Sequence, residues 1–377
     1  MQYRVLGKTG MRVSALGFGA MRLPMRDDRV DEETAIPMLR RALELGVNYV
    51  DSAFGYCNST SEIAVGKAIA AWPRDRVHLS TKLPVRSQED VAEWRSRLET
   101  QLRRFDTDYV DIHNCHGLKW EEFCSYVAVP GGVLEQARRA QGEGLIRHLS
   151  LSCHDTPDNM RRLIDTGEFA SITLQYNLLD RTNADVISYA YEKGMGVVVM
   201  GPVGGGRLGV SSDIIRGFLP EGRRVKSTPE IALRFVLSHP GVAVALSGMS
   251  TMRQVEENVA TASRAEPLSQ AELRHVEEAL DETRRLADLY CTGCGYCLPC
   301  PNEVKIPDNF RLMNYHRLYG LTEYARREYA RLVAQGGSAD QCQECGQCEP
   351  KCPQSLRIVD QLREVAAGLG RSPSSGG

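Results

Sequence analysis

From residue 15 to about 262, short runs of apolar and β-branched residues alternate with longer stretches whose apolar positions recur every three or four residues. Eight runs read as strands: 15–20, 48–53, 77–84, 108–116, 146–154, 171–177, 196–203 and 242–249. Between them Glu33–Leu45, Gln88–Arg104 and Asn183–Lys193 keep a helical period, and the ELG and EKG endings place a glycine where a helix must stop. Strand then helix, eight times over, predicts an α/β fold of the (β/α)8 TIM-barrel type. A doubly wound sheet is the rival, but it wants G-x-G-x-x-G at the first strand–helix turn, and none is there. Residues 2–14 read as a hairpin turning at Lys8–Gly10 and covering the barrel floor. The stretch GPVGGGRLG (201–209) after the seventh strand serves either as a flexible loop or as a close backbone approach to a phosphate.

Beyond the barrel the pattern changes. A charged helical stretch, Ser269–Leu289, leads into a region rich in cysteine, tyrosine and proline. The division expected is a barrel over 1–265, a helical linker over 266–289, a mainly helical ferredoxin-like module over 290–365 and a disordered tail over 366–377, where RSPSSGG can bury nothing.

With 42% hydrophobic and 25% charged residues among 377, the chain has the balance of a globular protein. A net charge of -2 gives no field to gather phosphate backbones, so nucleic acid is not an expected partner. No apolar run approaches the roughly 20 residues that cross a bilayer, and MQYRVLGKTGMRV lacks a secretory core. A cytoplasmic protein is expected. Twelve cysteines in a reducing compartment point to metal or catalysis rather than disulfides, and eight of them lie between Cys291 and Cys352.

Those eight form two runs. Cys291, Cys294, Cys297 and Cys300 make C-x2-C-x2-C-x2-C-P; Cys342, Cys345, Cys348 and Cys352 make C-x2-C-x2-C-x3-C-P. Three thiolates at three-residue spacing wrap one face of an iron-sulfur cubane, and the fourth, before a proline, serves the other cluster. On that logic Cys291, Cys294, Cys297 and Cys352 hold one [4Fe-4S] cluster, and Cys342, Cys345, Cys348 and Cys300 the second. Zinc competes for thiolates in fours, but its sites pair two C-x2-C knuckles and do not string four cysteines before a proline. Phe310, Tyr315, Tyr319, Tyr324 and Tyr329, between the runs, read as packing around the clusters, with an aromatic relay as the alternative.

In a barrel of this kind chemistry sits at the C-terminal strand ends. Asp51 ends the second strand, Tyr56 follows in its loop, Lys82 ends the third and His116 the fourth. A carbonyl that accepts hydride develops negative charge on oxygen and needs a proton. A tyrosine can give it if a nearby ammonium favours the phenolate left behind; Asp51 would keep Lys82 charged, and His116 would bond the substrate oxygen.

The stretch NYVDSAFGYCNSTSEIAVGKAI resembles the N-D-x-A-x-x-Y signature of aldo-keto reductases, with HLSTK and DYVDIHNCH similar to their lysine and histidine strands. The resemblance runs over residues 1 to about 262 and implies a barrel that binds NADPH or NADH and reduces a small-molecule carbonyl. It implies Tyr56 as the general acid, with Asp51, Lys82 and His116 supporting it. It further implies that Ser152 and Gln175 hold the nicotinamide carboxamide, and that Ser247, Gly248, Met249, Gln254, Glu257 and Asn258 grip the adenosine phosphate end. Three positions depart from the family pattern. Cys153 stands where an asparagine is common, Met200 where a tyrosine stacks on the nicotinamide, and Gln254 where an arginine takes the 2′-phosphate, which leaves NADPH against NADH open. Cys291 to Pro301 resembles the subgroup with a C-terminal iron-sulfur extension. Hydride carries two electrons and a [4Fe-4S] cluster passes one, so a flavin or an electron-transfer partner protein is the other expectation. The barrel would then bind a cofactor or partner while the clusters carry the electrons.

Overall fold

A computed structural model of the chain describes residues 1–220, 225–264, 267–288, 291 and 293–370. They form two compact units. The first comprises Met1–Gly205 and Ala232–Leu268; the second comprises Gly206–Ile231 and the chain from Ser269 onward.

The first unit is built on a closed barrel of eight parallel strands: β1 (Leu16–Gly19), β2 (Tyr49–Asp51), β3 (His78–Pro84), β4 (Val110–His116), β5 (Ile146–Cys153), β6 (Ser171–Gln175), β7 (Gly196–Met200) and β8 (Val244–Gly248). Each strand neighbours the next, and β8 closes on β1 with Ala245 opposite Leu16 and Gly248 opposite Gly19. Helices α1 (Glu32–Glu44), α2 (Ser61–Ile69), α3 (Gln88–Phe105), α4 (Val133–Gly142), α5 (Pro157–Asp165), α6 (Ala184–Glu192), α7 (Thr228–Ser238) and α8 (Met252–Arg264) fill the connections. The expected α/β barrel is therefore the observed one, with each expected strand ending within a few residues of its sequence limits. Local chemistry sets the helix starts: Ser87 Oγ accepts from Asp90 N at 3.2 Å before α3, and Thr156 Oγ1 accepts from Asn159 N at 3.3 Å ahead of Pro157. Where α2 meets α3, Gly66 is required, because a Cβ there would stand 2.6 Å from the Phe105 carbonyl oxygen.

Tyr3–Val5 pairs antiparallel with Arg12–Ser14 to make the N-terminal hairpin. Its Leu6 is fully buried with Val13, Tyr49, Ile112, Val198 and Val244, so the hairpin plugs the strand starts with apolar side chains. Burying one such leucine is worth roughly 1.5–3 kcal/mol.

The second unit contains α9 (Gln270–Asp288), α10 (Ile306–Arg317), α11 (Thr322–Ala334) and α12 (Ile358–Leu369). Phe310, Leu312, Met313, Tyr329, Ile358, Leu362 and Val365 form its core together with Cys297, and the half-buried Cys291, Cys300, Cys342, Cys348 and Cys352 pack against it. Asn309, fully buried, donates to Lys305 O at 2.9 Å and Gly337 O at 2.8 Å and accepts from Ala339 N at 2.9 Å, which ties the two cysteine segments to α10. Phe310 and Tyr329 lie in this core and Tyr315 and Tyr324 pack on it, while Tyr319 is ring-paired with Tyr315 at 6.1 Å between centroids.

Two features differ from the sequence division. Residues 206–231, expected within the barrel, group with the second unit: Ser212 Oγ donates to Tyr319 O at 2.5 Å, and Arg207 Nη1 donates to the Tyr315 hydroxyl at 2.5 Å. Residues 366–369, expected in a disordered tail, instead belong to α12, which runs to Leu369 with Val365 and Leu369 buried. The rest of that tail, 371–377, and the expected limits at 265/266 and 289/290 fall at least partly outside the described residues. Among the described residues no helix is long and apolar enough to cross a membrane.

Candidate active site

Strand register brings the expected residues of the barrel to one rim. Asp51 pairs with Ser80, Lys82 with Asn114, and Pro84 with His116. Asp51 and Lys82 are 1% and 2% exposed, and the Lys82 ammonium forms an ion pair with Asp51 Oδ1 while donating to Ser52 O at 2.7 Å. Ser80 Oγ donates to the second carboxylate oxygen at 2.7 Å and itself accepts from Asn114 Nδ2 at 3.0 Å, so both oxygens of Asp51 are satisfied. A buried pair of this kind is held by completeness; removing one partner costs roughly 3–5 kcal/mol. Tyr56 follows β2 and is half-buried. Its ring centroid lies 4.9 Å from Lys82 Nζ and 5.8 Å from the His116 ring, edge to face at 80°. Ser80 and Asn114 were not legible as site residues; only their register beside Asp51 and Lys82 marks them.

The electrostatics divide these groups. Burial pulls the Lys82 ammonium down, but Asp51 and the Tyr56 hydroxyl outweigh it and leave Lys82 above its usual range, hence charged at neutral pH. For His116, burial, with Lys82 and Arg86 adding like charge, pushes the imidazole down to about 3, so it is neutral. His113, three residues earlier, faces the helix layer, where Nε2 donates to Gln101 Oε1 at 3.0 Å and the ring meets Trp94 edge-on at 5.1 Å. Burial likewise lowers it to about 3. A histidine neutral when folded binds its proton only on unfolding, so stability present above about 6.5 is lost as pH falls from there toward 3. At pH 5 the loss from His113 alone is about 2 kcal/mol. Melting curves at pH 7 and pH 5 test this: the drop in Tm is smaller in His113→Gln than in the parent protein.

On the opposite side of the rim, Gln175 and Met200 stand side by side in register. The Gln175 amide lies over Gly201, where a Cβ would come within 2.8 Å of Oε1 and where φ is +63°, so only glycine leaves that amide room. Ser152 is buried and its Oγ accepts from Gly117 N at 2.8 Å, fixing the turn after His116. Cys153 points the other way, with Sγ at 3.1 Å from Leu118 O and its thiol raised to about 11 by burial. His154 lies just past the end of β5 and is exposed.

At β8, Ser247 Oγ accepts from Asn258 Nδ2 at 3.2 Å with both residues buried, and Met249 is fully buried. Gln254 completes the start of α8: its Oε1 accepts from Ser250 N at 2.8 Å while its own N–H bonds Thr251 Oγ1 at 3.2 Å. Glu257 is exposed, 4.0 Å from Arg253. Arg22, which no sequence pattern marks, also approaches this end of β8. Its stem lies 3.1 Å from where a Gly248 Cβ would stand and its guanidinium 3.7 Å from that point on Gly205. Among the described residues this exposed guanidinium has no hydrogen-bond or ion-pair partner. Nothing after the first strand marks it in sequence, because the approach depends on the fold bringing residues 22, 205 and 248 together.

In the second unit the eight clustered cysteines surround two hollows. Cys291, Cys294, Cys297 and Cys352 line one with Ile306, Phe310, Leu356 and Ile358. Cys297, Cys300, Cys342, Cys345 and Cys348 line the other. No group of three His, Cys, Asp or Glu among the described residues is close enough to share a single metal ion. Two hollows, one lined by four thiols and the other by five with Cys297 common to both, suit a multi-iron cluster better than one zinc.

A sequence model of the aldo/keto reductase family matches residues 15–225 and 219–281, and one of the 4Fe-4S dicluster domain matches residues 290–356. L-galactose dehydrogenase of Arabidopsis thaliana is 28% identical over 315 residues, covering 76% of this chain and 96% of that protein. The NADH-specific methylglyoxal reductase of Escherichia coli is 26% identical over 331 residues, covering 73% and 98%. Among solved structures, the holo form of aldo-keto reductase AKR11C1 from Bacillus halodurans aligns with a TM-score of 0.63 and 30% identity over 74% of this chain and 96% of that one. An aldo-keto reductase from Klebsiella pneumoniae in complex with NADPH shares the fold, with a TM-score of 0.60 and 24% identity over 74% of this chain and 95% of that one. With the rim geometry and these matches together, the chain belongs to the aldo/keto reductase family and carries a 4Fe-4S dicluster domain.

Proposed function

We propose that the barrel is an NAD(P)H-dependent reductase of small carbonyl compounds in which Tyr56 delivers the proton. One observation carries this reading: Lys82, charged through its pair with Asp51, lies beside the Tyr56 ring, which stacks edge-on against the neutral His116. Bound nicotinamide supplies the hydride that the carbonyl carbon accepts. Tyr56 gives its phenolic proton to the oxygen, Lys82 steadies the phenolate that results, and Asp51 keeps Lys82 in place. His116, neutral, offers a hydrogen bond that orients the substrate oxygen without adding a second charge. Ser152 and Gln175 are assigned to the carboxamide, Met200 to the nicotinamide face, and Ser247, Gly248, Met249, Gln254, Glu257 and Asn258 to the adenosine end. The free guanidinium of Arg22 adds a cation facing the same rim.

Small aldehydes such as methylglyoxal and sugars such as L-galactose, read in the reverse direction, are the substrates that the relatives suggest. The two cysteine hollows are assigned two [4Fe-4S] clusters, which exchange single electrons when bound. A second reading follows from the dicluster match: an electron-transfer protein partner, or a flavin, converts between one-electron and two-electron steps, and the barrel serves that exchange. Twelve cysteines without a disulfide among them fit a reducing, cytoplasmic setting for either reading.

The readings separate in an assay of anaerobically purified protein with methylglyoxal and NADPH or NADH. The reductase reading expects nucleotide oxidation that matches carbonyl consumed; dye reduction with no carbonyl turnover favours the electron carrier. In the same assay Arg22→Ala raises the dissociation constant of the preferred nucleotide roughly tenfold, the worth of one charge-assisted hydrogen bond, and leaves kcat unchanged. An unchanged dissociation constant removes Arg22 from the site.

A further inference from the structure

Glu62, on the first turn of α2, is fully buried, and the proton transfer assigned above makes no use of it. Burying a carboxylate is costly unless its oxygens are satisfied. Here they are, by groups leading to two places. Oε2 accepts from Arg104 Nη1 at 3.0 Å, and the same nitrogen donates to Phe54 O at 2.9 Å, two residues before Tyr56. The Arg104 guanidinium also stacks 4.3 Å from the Phe54 ring centroid. Oε1 accepts from the Thr81 hydroxyl at 2.6 Å and from Gln101 Nε2 at 2.8 Å. Gln101 Nε2 in turn reaches Thr81 Oγ1 at 2.9 Å and Lys82 O at 3.1 Å.

Alternation along β3 turns Thr81 to the helix layer and Lys82 to the barrel interior, so a bond at Thr81 fixes the backbone from which Lys82 projects. The loop from Phe54 to Thr60 has no strand or helix of its own, and Cys57, Asn58 and Ser59 follow Tyr56 with φ of 50°, 52° and 65°. Three successive left-handed residues persist only where the surroundings impose them. We propose that Glu62 is a positioning residue for the Tyr56–Lys82 pair, holding the Phe54 carbonyl through Arg104 and the backbone of β3 through Thr81 and Gln101. One carboxylate thereby sets the spacing of two groups on different strand ends, where a displacement of about 1 Å costs on the order of a hundredfold in rate. The inference rests on the reading of Tyr56 and Lys82 as donor and partner.

The test uses the whole cluster-bearing protein. Glu62→Gln keeps the shape but leaves one acceptor oxygen where the carboxylate had two, so either Arg104 or the Thr81–Gln101 pair loses its acceptor. The expected result is a kcat for methylglyoxal reduced on the order of tenfold, with KM and the nucleotide dissociation constant within about twofold of the parent. Hydrogen exchange over residues 53–60 rises, while that of the remaining barrel strands does not. Arg104→Met, at a partly exposed position, reproduces the pattern even if the Glu62→Gln variant fails to fold, and Arg104→Lys recovers part of the rate. Unchanged kcat and loop exchange overturn the proposal, and so does a loss in which KM and nucleotide affinity worsen in step or which Arg104→Lys does not relieve. If the parent protein reduces no carbonyl, the reductase reading fails on its own, and the exchange over 53–60 still decides whether Glu62 holds the loop.

Discussion

Tyr56→Phe lowers kcat for carbonyl reduction by about 10²–10⁴-fold, the usual contribution of a positioned proton donor, while the nucleotide dissociation constant and KM stay within a few-fold of the parent. The substitution removes one oxygen and leaves the ring that packs between Lys82 and His116, so the fold has no reason to change. Lys82 and Asp51 remain paired and buried, which spares the large cost of leaving either charge alone. The measurement is steady-state turnover of methylglyoxal with the preferred nicotinamide, with nucleotide binding followed separately. A rate equal to the parent's shows that the proton comes from elsewhere, His154 or water being the alternatives at this rim.

The second large effect concerns iron. With one [4Fe-4S] cluster in each hollow, as proposed, Cys352→Ser removes about half of the iron and sulfide per chain, because one of the four thiolates of one cluster is lost. The lining of the two hollows predicts which pairs share a fate. Cys291→Ser combined with Cys352→Ser loses no more than either alone, since both residues line the same hollow. Cys342→Ser combined with Cys352→Ser loses nearly all the iron, since they line different ones. If each cysteine run held its own cluster, the two double variants would exchange outcomes. Iron and sulfide counts on anaerobically prepared protein distinguish the cases. Cys300 carries the same logic in reverse, and it is the informative residue because its run is one residue shorter before the proline.

Much of the fold was legible because each barrel strand is marked by an apolar run, and β2, β5, β6 and β7 also by a left-handed glycine after the helix before them, at Gly46, Gly144, Gly167 and Gly194. Asp51, Lys82 and His116 could be placed because each falls within two residues of the end of its run, and strand ends of a parallel barrel share a rim. What stayed hidden depends on contacts between distant segments. Arg22 lies next to Gly205 and Gly248 only once β1 and β8 close the barrel. The Glu62–Arg104 link joins residues 42 apart across two helices, with nothing periodic to reveal it. The glycine-rich stretch after β7 divides: Gly201 makes room for Gln175, whereas Arg207 reaches Tyr315 of the second unit. Its composition, even between loop and phosphate cradle, carries no hint of that split. The helix that runs to Leu369 is masked by the Ser- and Gly-rich end, although Val365 and Leu369 continue the apolar face of α12.

In the proposed reaction hydride passes directly to a carbonyl carbon at the rim that holds Tyr56 and Lys82. Reduced nicotinamide nucleotide with deuterium at both C4 positions tests this, with the alcohol product analysed by mass spectrometry. One deuterium is expected on the carbon that was the carbonyl, in the parent protein and in the residual turnover of Tyr56→Phe alike. Alcohol formed without the label, its hydrogen drawn from solvent, would mean that electrons travel by another route and would contradict it.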